Sequence, residues 1–141
     1  MTPAHKKVLS IVLSLAAAAA ILTGSFCGPE LTTPGSGDLS GMWHTSGPAA
    51  GLSDITMVLA QTPDGGITGT FTATGTPGIQ PCPPSGPCLI SSTIKGANTV
   101  LQVNIELDDS GTFTGQLITS GLLRGTMTHG ASALVEFDRV P

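Results

Sequence analysis

Tyrosine is absent from this 141-residue chain, tryptophan occurs once, and only five side chains are Lys or Arg. Charged residues make up 10% of the chain, too few for a coiled coil or a charged disordered tail. Beyond residue 37 the only Lys and Arg are Lys95, Arg124 and Arg139, against eight Asp and Glu. Without a basic patch, nucleic acid is not an expected partner, and electrostatic docking on anionic lipid is disfavoured. No HxH or HExxH spacing places metal ligands on one face, so no metal and no cofactor is expected. A Gly-x-Ser-x-Gly elbow, a phosphate loop and a reactive-Cys setting are also missing, which argues against an enzyme.

What is present is a glycine pattern. Leu39-Ser40-Gly41-Met42-Trp43 reads apolar, any residue, Gly, any residue, apolar. It returns at 67–71, 94–98, 113–117 and 123–127, with Asn98 alone breaking the apolar rule. The spacing of two is the period of a strand, so each Gly shares a face with its apolar neighbours. Glycines on an inner face make room where strands bend or approach closely.

Short Thr-rich apolar runs between turn signals read as all-β. Eight strands are expected, at 39–45, 54–62, 67–74, 90–96, 99–107, 112–119, 122–129 and 133–140. Pro63-Asp64-Gly65-Gly66, Gly96-Ala97-Asn98, Asp108-Asp109-Ser110-Gly111, Ser120-Gly121 and Gly130-Ala131-Ser132 supply turns, and 75–89 is a long loop. Short connections place sequence neighbours side by side in the sheet. An eight-stranded antiparallel up-and-down barrel fits this pattern, with a β-sandwich as the alternative. The expected inner face includes Trp43, Phe71, Leu101, Val103, Phe113, Met127 and Phe137.

Ahead of the domain at 38–141 stand a leader and a tether. His5, Lys6 and Lys7 precede an apolar run from Val8 to Leu22, which marks 1–26 as a signal peptide. Residues 27–37 are rich in Gly, Pro, Ser and Thr, the composition of a flexible tether. Leu22-Thr23-Gly24-Ser25-Phe26-Cys27 resembles a bacterial lipobox and makes Cys27 the lipidation candidate, although Phe26 and Gly24 depart from that pattern. Cys82 and Cys88 are natural disulfide partners in an oxidising compartment, which leaves Cys27 over. Two addresses stand: an envelope lipoprotein, reaching the membrane only through a lipid on Cys27, and a secreted or periplasmic product.

Gly41-Met42-Trp43 resembles the Gly-x-Trp signature of the calycins, the superfamily of lipocalins and avidins. In that superfamily the first-strand Trp packs under an Arg from the last strand, and the resemblance puts Arg139 in that role at the barrel base. Short pieces around Ile55-Thr56-Met57, 66–72 and Phe113-Thr114-Gly115-Gln116 are similar to avidin. Exported bacterial β-barrels of unassigned function are resembled at least as well. Avidins hold biotin with several Trp and a Tyr. Here Phe71 stands where that Tyr would be, so biotin binding does not carry over.

In a barrel, the loops at 46–53, 75–89, 108–111 and 130–132 share one mouth. A small barrel is either filled by its side chains or holds one ligand. The candidate ligand-binding residues are Trp43, Phe71, Leu101, Val103, Phe113, Met127 and His129. The first reading is an exported non-catalytic barrel that binds a small apolar or amphipathic ligand. The second is a structural or protein-binding envelope module with a filled core, and a packed interior would favour it.

Overall fold

The computed structural model describes residues 37–108 and 111–141. The expected signal peptide, Cys27 and the tether up to residue 36 lie outside the described residues. Eight strands follow in chain order: β1 (Gly41–Thr45), β2 (Leu52–Gln61), β3 (Gly66–Gly75), β4 (Cys88–Asn98), β5 (Val103–Leu107), β6 (Gly111–Thr119), β7 (Leu122–His129) and β8 (Ala131–Val140). Each pairs antiparallel with its sequence neighbour, and β8 returns to pair with β1. The result is a closed up-and-down barrel, not a sandwich.

Alternation sets the two faces. In β5, Val103, Ile105 and Leu107 are buried while Glu106 is exposed. In β6, Phe113, Gly115 and Leu117 face in, and Thr112, Thr114 and Gln116 face out. This is apolar inside and polar outside, the inverse of a barrel that spans lipid. Trp43, Phe71, Phe113, Phe137, Ile55 and Met57 are among the fully buried side chains. Each contributes roughly 1.5–3 kcal/mol of transfer free energy.

The inner glycines serve packing. Gly115 and Gly125 pair across β6 and β7. A Cβ on either would lie 2.5–2.7 Å from Phe113 Cζ, so the Phe113 ring occupies the space the two glycines leave. The Phe113 ring that takes this space meets Phe137 edge-on at 5.6 Å.

Three expectations need correction. Leu101 is not on the inner face: it lies outside β5 in the 99–102 turn and is 77% exposed. The turn forms there because Thr99 closes it, its N–H and hydroxyl donating to the Gln102 carbonyl and its hydroxyl oxygen accepting from the Gln102 N–H. Gly96-Ala97-Asn98 is not a turn but the end of β4, paired with both β3 and β5. Asn98 can continue the strand while buried because its side-chain amide donates to the Gly37 carbonyl at 2.6 Å and to Gln61 Oε1 at 3.0 Å. Finally, β2 begins at Leu52 rather than at 54. A bulge between Ser53 and Thr56, with Asp54 at φ 48°, shifts the alternation by one residue and hides the earlier start.

Candidate functional site

Both ends of the barrel are stoppered. At the base, Trp43 and Arg139 are cross-strand partners. The Arg139 guanidinium lies 4.5 Å from the Trp43 ring centroid, a cation–π contact. Its Nη1 donates to the Ser40 carbonyl at 2.8 Å and its Nη2 to the Asp38 carbonyl at 2.5 Å. Trp43 Nε1 donates to the Leu39 carbonyl at 2.8 Å. The segment from Gly37 to Ser40 is thereby strapped under the barrel, with Leu39 fully buried as the plug. Gln61 Oε1 accepts from the Leu39 N–H and from Asn98, a half-buried polar clamp that sequence reasoning missed. The only signal for it was the one non-apolar residue in the glycine pattern.

At the other end, the 76–87 segment folds back into the mouth. Cys82 and Cys88 are disulfide-bonded, and Cys82 is buried in the core cluster with Ile79 packed against it. Ile79 also covers Gly51 and Gly75, where an added Cβ would collide with it. The Thr76 N–H donates to the Gly51 carbonyl at 3.0 Å. The segment is pinned by apolar contacts and acts as a cap on β2, β3 and β4.

A concavity lies beside this cap. A cleft of about 1280 Å³ opens at the rim between β4, the Asp108 turn and the β7–β8 turn. Phe71 and His129 form part of its lining, and Ile79 to Pro81 overhang it. Leu89, Ser91 and Thr93 of β4 form its long wall. Asp108 stands at its end, where its carboxylate accepts from the Thr93 hydroxyl at 3.5 Å and its carbonyl from the Ser92 hydroxyl at 2.5 Å. His129 is 7% exposed.

The structure distributes the seven expected ligand residues widely. Phe71 and His129 both line the cleft. Phe113 and Met127 are paired inside the filled barrel, and Val103 lies toward the base beside Asn98. Trp43 is at the base, and Leu101 is outside the barrel near that same end. The cleft wall itself, Leu89 to Thr93, was missed because its signal is where the β4–β5 ladder stops among the described residues, which no residue type announces. Among the described residues, no group of three or more His, Cys, Asp or Glu is placed to hold a metal ion. No protein-family model, curated protein or solved structure matches the chain.

Proposed function

We propose that this chain is an exported, non-catalytic β-barrel that binds a protein partner at its rim. The observation that carries the reading is the filled and doubly stoppered interior, in which Trp43, Phe71, Phe113 and Phe137 are all fully buried. A barrel so packed offers its rim and outer face, not its axis, to a partner. The non-catalytic part rests on the sequence, which carries none of the spacings that catalytic chemistry needs. A calycin-like assignment is supported by the contact between Trp43 and Arg139 at the closed base.

Export is supported by the leader composition, and lipidation of Cys27 would anchor the chain through 28–36. The described chain enters at Gly37, which lies against the base through Asn98.

The test is a native mass spectrum of the full chain, purified as its own cells process it, beside its denatured mass. Equal masses for the barrel itself, with a protein partner retained under gentle conditions, are expected. Extra mass of small-molecule size, lost on denaturation, would reverse the conclusion in favour of a ligand-carrying barrel.

A further inference from the structure

Among the described residues, the wall of this barrel thins to a one-sided strand at the mouth. β3 pairs with β4 along its whole length, from Gly66↔Ala97 to Gly75↔Cys88. On the other side, the β4–β5 ladder stops at Ile94↔Leu107. One further bond, the Asp108 N–H to the Thr93 carbonyl at 3.1 Å, closes that ladder. Residues 88–92 therefore have a strand on one side only among the described residues.

Backbone parity shows which groups face the gap. The Thr93 carbonyl points toward β5, since Asp108 bonds to it. The Asn98 N–H points toward β3, since it donates to the Gly65 carbonyl at 2.8 Å. Odd-numbered residues of β4 thus direct N–H and C=O toward β5, and even-numbered ones toward β3. Leu89 and Ser91 present four backbone groups to the open edge, with no ladder partner there among the described residues. The cleft lies against this edge.

We propose that the β4 edge at residues 88–92, which has no ladder partner on its β5 side among the described residues, takes up an extended peptide strand of a partner protein, one that carries a Lys or Arg near Asp108. This inference rests on the protein-binding reading above and names its surface. The edge supplies main-chain hydrogen bonds, and the exposed Leu89 and the Thr93 face supply side-chain contacts, the usual division of labour in strand addition. The cleft, at about 1280 Å³, exceeds the roughly 300–1,000 Å³ of small-molecule pockets. Its lining includes Asp108 and no Lys or Arg, so a basic segment complements it. A second copy of this chain meeting the cleft with its own cleft would bring a second Asp108 and a lining without Lys or Arg, which disfavours self-pairing there.

Ser91→Pro separates edge recognition from folding. The Ser91 N–H faces the gap, so Pro removes an edge donor and spares the bonds to β3. The probe is a fluorescent peptide, Val-Thr-Val-Lys-Val-Thr-Val, titrated into the full chain as its cells process it. A twin methylated on alternate amide nitrogens tests the same edge on unaltered protein. Binding to wild type is expected, weaker by about tenfold for Ser91→Pro, which loses one edge hydrogen bond, and by more for the twin, which loses several. Peptide should slow amide exchange at Leu89 and Ser91, and Asp108→Asn should flatten the salt dependence. Unchanged Trp43 emission and melting temperature would show that Ser91→Pro is folded.

Equal affinity for the twin, or no binding by wild type, overturns the proposal. A sedimenting dimer that Ser91→Pro disperses also overturns it, in favour of a second copy. A co-purifying protein that Ser91→Pro leaves undiminished defeats the edge while the protein-binding function stands. A small ligand in the native mass spectrum defeats that function itself.

Discussion

Replacing Arg139 with Ala tests whether the base holds the barrel shut. The guanidinium makes two charge-assisted hydrogen bonds, to the carbonyls of Ser40 and Asp38, and stacks 4.5 Å from the Trp43 centroid. At the low end suited to a partly exposed site, each bond contributes about 1.5 kcal/mol. The cation–π contact adds about 1 kcal/mol. Discounting the exposed bond to Asp38, the loss is roughly 3 kcal/mol, or about 12 °C in melting temperature for a domain of this size. Trp43 is fully buried and is the chain's only Trp, so its emission reports on this site alone. The assay is a thermal melt followed by Trp fluorescence, with a red-shifted native emission expected from Arg139→Ala. Arg139→Lys keeps the charge and loses the planar fork, and should recover less than half of the loss. A melting point within about 2 °C of wild type and an unshifted emission would refute the closure, since the quoted energies could not then be present.

Three other perturbations follow from the same packing. Gly125→Ala places a Cβ against Gly115 Cα and 2.7 Å from Phe113 Cζ, so it should cost about 1–3 kcal/mol in a chemical denaturation series. Opening the Cys82–Cys88 bridge with paired Ser substitutions should cost about 2 kcal/mol by loop entropy and speed proteolysis within 76–87. Undiminished protection of the segment would show that Ile79 alone pins it. The Asp38 carboxyl is held below its ordinary value of 3.8, first by the Ser40 backbone N–H, then by the Ser40 side chain, with the Arg139 charge adding to it. A lowered folded-state pKa adds stability that is present above the unfolded value and lost as pH falls through the folded one. Stability should therefore drop below about pH 4, and Asp38→Asn should lessen that drop when melts are compared across pH.

Much of the barrel was legible because its strands obey one period. β7 was read at its true limits, since Leu123, Gly125 and Met127 alternate cleanly with exposed Arg124 and Thr126. Legibility failed where period and pairing part company. Leu101 continued the apolar alternation of Val103 and Ile105, yet Thr99 and Gln102 close a turn around it and leave it in water. Gly96-Ala97-Asn98 carried turn composition, yet the carbonyl of Gly37 and the amide oxygen of Gln61, 61 and 37 residues away, accept from the Asn98 side-chain NH2 inside a strand. A partner so distant in sequence leaves no local trace.

The amino-acid order by itself determined the all-β class, the two-faced strands and the inner glycines, because alternation and turn chemistry act within a few residues. It also set the leader composition and the proximity of Cys82 to Cys88. Only the tertiary structure decided closure of β8 on β1, the stacking of Arg139 on Trp43 and the filling of glycine space by Phe113. Among the described residues, only it left the mouth half of β4 without a second strand neighbour. These depend on register and on where one ladder stops before another, and such lengths are set by the whole ring of strands at once.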